Sequence, residues 1–488
     1  MKLRIKKKRQ MKTTDIIKGI LASAFVVLVY SCGIPKVTTK ENSVNLPSSY
    51  ANNSVDSTSV AQLKWKDFFD DANLNQLIDS ALVNNKELNI LMQKVNMAAN
   101  EIQARKGEYL PSVNLGLGAD VDKVGEFTRN GAVEKNLPIR DGKAFPEPLT
   151  NYQYGLYSNW ELDIWKKLRN AKKVAVMEYM ASQEGKNFLV TNLVAEIASS
   201  YYELVALDNQ LKNLEQNIAI QTNALEIVKL LKESARTTSL AVKRFEAEVQ
   251  KNKSEMYSLK QEIVETENRI NFLVGRTPQA VIRTSDNFMN TQPKFVNSGL
   301  PSQLLENRPD VRKAELEMQA AKLNIKVAKA NFYPSLGLKA GVGFEAFNPE
   351  FLLESPASLL YSVAGEALMP LVNRNAIKAT YKNANAKQVQ AAYEYEQTLL
   401  NAYIEVVNQL SKIDNLQNNY QLKNDQVSSL DASVEIANQL FQSARADYME
   451  VLLTQRDVLE AKTALIDTRR DQMIATINLY RALGGGWN

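Results

Sequence analysis

Apolar positions recur in two rhythms along this chain, and the switches between them divide it. From Leu371 to Leu483 there is no Gly and no Pro, with Pro370 before and Gly484 after. Lys166 to Val274 is a second such stretch; Gly185 is its only Gly, and Gly275 follows it, as expected where a helix stops. Inside it Leu193, Ile197, Tyr201, Leu204, Leu207, Leu211, Leu214 and Ile218 recur every three or four residues, the coiled-coil period that packs through a narrow seam. Val406, Leu410, Ile413, Leu416, Tyr420, Val427, Leu430, Val434, Ala437 and Phe441 repeat that rhythm in the later stretch. Polar residues fill the remaining faces, so most of each helix is predicted to be wet. As one helix at about 1.5 Å per residue, either stretch exceeds ~160 Å, so each must fold back or project. Ala235-Arg236 and Ala444-Arg445, equivalent positions flanked by polar residues, are the predicted hairpin tips.

The second rhythm has a period of two. Val113, Leu115, Leu117, Ala119 and Val121 alternate with polar residues and Gly, as do Tyr152, Tyr154, Leu156 and Trp160. Leu336, Leu338, Ala340, Val342 and Phe344, then Leu359, Tyr361, Val363 and Ala367, do the same. These are four predicted strands with one apolar and one polar face, each about the ten residues a tilted strand needs to cross a bilayer. Val113, Leu115, Leu117, Leu336, Leu338 and Val342 are the predicted lipid-facing residues. Residues 123–150, with their Gly and Pro, read as loop. Helical spacing over 73–106 and 309–331 precedes the first and third strands, so the order helix, strand, loop, strand, long helical run occurs twice.

The repeat aligns residue by residue. Tyr109-Leu110-Pro111-Ser112 matches Phe332-Tyr333-Pro334-Ser335, and Val274-Gly275 matches Leu483-Gly484. Folding back at the predicted tips leaves over ~40 Å of each long arm uncovered. The helix preceding each strand pair is about the length to cover it. Each half is then one long helix beside two shorter ones stacked end to end, capped by a β-hairpin. Four strands cannot close a barrel, and open edges are forbidden in lipid. Several chains must share one barrel, and three chains giving twelve strands is a reasonable closure.

Charge locates the chain's beginning. Residues 1–31 carry eight Lys or Arg and one Asp, a net +7, which leaves −2 for the rest of a chain of formal charge +5. The basic residues, the apolar run Gly19–Tyr30 and Val29-Tyr30-Ser31-Cys32 form a secretory leader resembling a bacterial lipobox, in which the Cys is acylated. The expected organisation is a signal peptide over 1–31, a lipidated tether over 32–60, a first repeat over 61–278, a connector over 279–300 and a second repeat over 301–488. The chain has no His, one Cys and no phosphate loop or nucleophile elbow, so no catalytic residue, metal site or cofactor is expected beyond the N-acyl diglyceride on Cys32. A charge of −2 without the leader disfavours nucleic acid.

Five stretches in order, covering nearly everything after Cys32, carry a family likeness: Trp65…Phe68-Phe69 with Leu74 and Leu77, NWELDIWKKLRNA at 159–171, GLPSQLLENRPDVRKAE at 299–315, AKANFYPSLGL at 328–338 and LYRALGGGW at 479–487. The chain resembles the TolC-type outer-membrane efflux channels, specifically the lipoprotein branch of resistance-nodulation-division (RND) tripartite systems. The resemblance implies a mainly α homotrimer: long antiparallel helical hairpins forming a periplasmic α-barrel, four strands per chain in a shared twelve-stranded β-barrel, and an equatorial layer. Its function would be a passive exit duct in the outer membrane, fed by an inner-membrane pump through a periplasmic adaptor. The family closes its periplasmic end just after the second hairpin tip, which here reads YMEVLLTQR at 448–456, so Asp447, Glu450, Leu453 and Arg456 are the aperture candidates. Two rivals are a structural coiled-coil lipoprotein and a periplasmic adaptor without a pore. An adaptor would need one hairpin and Gly-rich small β-domains, where this chain predicts two hairpins and four alternating strands.

Overall fold

The computed structural model describes residues 33–41, 43–50, 59–294, 297–372, 374–443 and 445–487. The leader, Cys32 and Ala444 lie outside them. In chain order the main elements are α1 (Ala72–Asn84), α2 (Lys86–Glu108), β1 (Ser112–Asp122), α3 (Arg129–Asn136), β2 (Leu149–Leu162), α4 (Lys167–Glu233), α5 (Ser239–Val274), α6 (Pro309–Ala330), β3 (Ser335–Ala346), β4 (Leu359–Leu368), α7 (Asn375–Gln442) and α8 (Tyr448–Ala482). Among the described residues no helix is long and apolar enough to cross a membrane. The repeat of helix, strand pair and folded-back helical run is present twice.

Two expectations are corrected. The helix read over 73–106 is two helices, because Asn85 leaves helical backbone at ψ 128°. Its side-chain oxygen accepts from the Leu88 N–H at 2.8 Å, capping α2, while its amide donates to the Leu273 carbonyl at 2.8 Å. Apolar spacing runs on across such a break, since a cap changes the backbone and leaves the burying face in place. The segment read as loop over 123–150 contains α3, whose start is capped by the Thr128 hydroxyl accepting from the Gly131 N–H at 3.1 Å. At eight residues, α3 is too short for periodicity to reveal.

The chain forms two compact units that cut across the repeats. One, built from the described residues among 33–41, 98–179 and 317–392, holds the sheet and the helix ends that enter it. The strands lie in the order β1-β2-β3-β4, all antiparallel. Ser112 pairs with Asn159, Leu162 with Leu336, and Ser335 with Leu368, so every helix attachment is at one end of the sheet. Beneath that end Ile325, Ala328 and Phe332 pack on Ile377 and Tyr381, with Ile34 and Val37 of the N-terminal segment laid against them. Asp163 starts α4, accepting from the backbone N–H groups of Leu168 and Arg169 at 3.0 Å each.

The other unit, the described residues among 43–97, 180–316 and 393–487, holds the rest of the helical runs and the connector. Leu193, Ile197, Tyr201, Leu204, Leu207 and Leu214 of the first seam are buried. Both predicted stackings are realised. Gly275 ends α5 at φ 78°, and a Cβ there would lie 2.4 Å from the Asn84 carbonyl oxygen; Gly484 follows α8 at φ 93°, with the Asn307 carbonyl at the same distance. Glycine is needed at both points, for the left-handed turn and for the close approach. Arg308 secures the second junction, donating to the Ala482 carbonyl at 2.9 Å and pairing with Asp310 at 2.6 Å and Glu405 at 2.8 Å. Burial opposes its charge, but the bonds to Asp310 and Glu405 outweigh that and hold its pKa above the usual value. Phe68 stacks on Tyr480 at 4.0 Å, and the Tyr480 hydroxyl donates to the Leu63 carbonyl at 2.7 Å.

Candidate functional site

Register decides which residues share a face of the sheet, because directly paired residues project to the same side. Leu115 pairs with Leu156, which pairs with Val342, which pairs with Tyr361. Leu117, Tyr154, Phe344 and Leu359 form the next row, with the Tyr154 and Phe344 rings stacked at 5.3 Å. One face is therefore an apolar band four strands wide, and it includes the expected Val113, Leu115, Leu117, Leu336, Leu338 and Val342. Val113, Leu115 and Leu117 are 64%, 67% and 78% exposed, far more apolar surface than one chain leaves to water without a purpose.

The opposite face carries the polar partners. Lys339 pairs with Glu366 at 2.8 Å, and the Asn151 amide donates to Glu345 at 2.7 Å. Tyr157 lies on this face between Asn114 and Gly341, its ring covering Gly116. The outer edges of β1 and β4 have no partner strand among the described residues. A two-faced sheet with two free edges is one segment of a closed wall, apolar outside and wet within.

At the hairpin tips, Ala235 holds the first turn with φ 56° and Arg236 is exposed. In the second turn Arg445 is exposed. Asp447 occupies the N-cap of α8 without a side-chain hydrogen bond to the helix. Glu450 and Leu453 follow on the exposed side, one turn apart. Arg456 does not pair with Glu450; it reaches Asp457 at 3.2 Å and Glu460 at 3.8 Å. Asp457 and Glu460 were missed, although their spacing from Glu450 places all three acids along one side of α8. The start of α8 is held by Leu452, which enters a cluster with Leu225, Val228, Ala241, Val242, Phe245 and Val249 of the first hairpin.

Strands of bilayer length with a lipid-type face, joined to long helical hairpins, define an outer-membrane channel subunit. The family model described as "Outer membrane efflux protein" matches residues 77–276 and 300–485, and the chain belongs to that family. It is 26% identical over 426 residues to the cation efflux system protein CusC of Escherichia coli O6:H1, covering 87% of this chain and 88% of that one. With the probable outer membrane lipoprotein SilC of Salmonella typhimurium it shares 25% identity over 423 residues, at 87% and 88% coverage. The open-state MtrE outer membrane channel of Neisseria gonorrhoeae has the same fold, with a TM-score of 0.81 and 21% identity over 93% of this chain and 98% of that one. The protein is an outer-membrane efflux channel, of a family of channels rather than enzymes, and the poreless alternatives are set aside.

Proposed function

We propose that three copies of this chain close β1 of one against β4 of the next into a twelve-stranded barrel, and that the homotrimer is the exit duct of a tripartite efflux system. An inner-membrane RND pump delivers cargo through a periplasmic adaptor, and the duct passes it outward without chemistry of its own. The observation that carries this is the four-stranded sheet with an apolar face, a polar face and two free edges. An N-acyl diglyceride on Cys32 anchors each copy. The adaptor is assigned the hairpin-tip end of the duct, expected at Ala235-Arg236 and Ala444-Arg445, and Asp447, Glu450, Leu453 and Arg456 narrow its periplasmic end. Three Glu450 carboxylates brought close repel one another and keep that end hydrated.

Purified protein in a planar bilayer should give discrete ion currents; a preparation of intact trimers that never conducts would defeat the duct. Glu450→Ala should change single-channel conductance measurably while leaving the trimer intact, and identical traces would remove Glu450 from the aperture.

A further inference from the structure

The helix ends that enter the sheet are unusually basic. Lys166 lies just before α4 and Lys173 near its start, Lys326 and Lys329 lie in the last two turns of α6, and Lys378 and Lys382 lie near the start of α7. All six are exposed, and among the described residues none of their ammonium groups has a hydrogen-bond or ion-pair partner. Helix stability does not call for Lys166 or Lys378, which sit at helix starts. The N-terminus of a helix favours acids and disfavours cations, yet α7 has no acid in its first turn, and at α4 the acid is Asp163, which caps the helix from before it. Cations kept where the helix dipole opposes them point to something outside the helix that they meet.

Their position says what that is. Between the lysines and the sheet stands a collar of exposed apolar side chains: Ile164, Trp165, Leu371 and Val372. Trp165 stacks on Tyr333 at 4.7 Å and its indole N–H donates to the Pro334 carbonyl at 2.7 Å, which sets an aromatic pair where a bilayer meets water. Lys322, Lys326 and Lys329 share one side of α6, and Lys322 pairs with Glu41 of the N-terminal segment at 3.4 Å. That segment climbs from Glu41 past Val37 to Ile34, which packs in the cluster containing Phe332, three residues before β3. The lysine-bearing side of α6 is thus the side along which the chain approaches Cys32.

We propose that these lysines form a collar that binds the phosphodiester headgroups of anionic phospholipids in the periplasmic leaflet of the outer membrane. The proposal rests on the sheet being the membrane-embedded wall. Apolar residues above enter the acyl region, the ammonium groups below meet the phosphates, and the collar fixes the height of the duct in the membrane. Each lysine near an anionic surface contributes attraction that adds along the ring of copies.

The test uses the full trimer in neutral detergent micelles doped with phosphatidylglycerol or with phosphatidylcholine, comparing wild type with the combined Lys326→Gln, Lys329→Gln, Lys378→Gln, Lys382→Gln variant. Gln keeps helix propensity close to that of Lys, and trimer content on gels confirms assembly. Wild type should retain phosphatidylglycerol over phosphatidylcholine, and the variant should lose more than about tenfold of that affinity. Equal retention of the two lipids by wild type, or an unchanged preference in the variant, overturns the collar. So does full competition by soluble glycerophosphoglycerol, which would make it a site for free anions. A shifted reversal potential in the variant overturns it too, by placing the lysines in the lumen. Wild-type conductance in a phosphatidylcholine bilayer separates the two claims, because its presence leaves the duct standing whatever the lipid result.

Discussion

The two helical hairpins share a topology and are held together differently. In the first, α4 and α5 close near the tip over a mainly apolar seam, in which Leu225, Val228, Val242, Phe245 and Val249 are all under 8% exposed, beside one buried amide pair, Asn252 donating to Gln221 at 2.7 Å. In the second, Leu410, Ile413, Leu416, Tyr420, Val427, Leu430, Val434 and Phe441 are only half-buried. Polar contacts tie α7 to α8 instead. The Lys423 ammonium donates to the Ala464 carbonyl at 3.2 Å and the Thr468 hydroxyl at 2.8 Å, Gln472 donates to the Leu416 carbonyl at 3.2 Å, and Arg469 lies over the Tyr420 ring at 3.8 Å. An apolar seam holds by area and resists sliding; a hydrogen-bonded seam can exchange its partners for water at small net cost. On this contrast the second hairpin, which carries the aperture candidates, is expected to yield more readily than the first.

Three substitutions test that contrast. Phe245→Ala, at 1% exposure in the mainly apolar seam, should cost about 3–5 kcal/mol, read as a fall in the thermal midpoint of detergent-solubilised trimer. A loss under about 1 kcal/mol would mean that apolar area does not hold the first hairpin. Lys423→Met should cost about 1–2 kcal/mol and increase current fluctuations in planar bilayers; a loss as large as that of Phe245→Ala would erase the distinction. Ala235→Gly is the smallest and has the opposite sign. Ala at φ 56° is strained by roughly 1–2 kcal/mol, and Gly relieves that at an entropic cost of about 0.5–1 kcal/mol, so the tip should gain a few tenths to about 1 kcal/mol. Faster amide exchange at residues 231–240 in the variant would contradict it.

Much of the fold was legible because each strand faces two different media. Val113 to Val121 must alternate if one side meets lipid and the other water, and the observed β1 begins at Ser112 and ends at Asp122. The break at Asn85 and the short helix α3 were not legible, because each depends on local hydrogen bonds that leave the apolar pattern unchanged. The aperture was legible only in part: the acids on α8 are visible in sequence, but Arg456 turning to Asp457 and Glu460 is a choice among neighbours on one helix surface.

By itself the sequence determined the duplicated order of elements, the strand faces and the folding back of each long run, since periodicity and chain breakers act over neighbouring residues. Only the tertiary structure decided the rest: which strands pair and in what register, that the first seam is mainly apolar and the second more polar, and that lysines distant in sequence gather at one end of the sheet. Those outcomes depend on contacts between segments that are not neighbours in sequence, where the same apolar spacing closes fully if a partner surface covers it and stays half-open if none does.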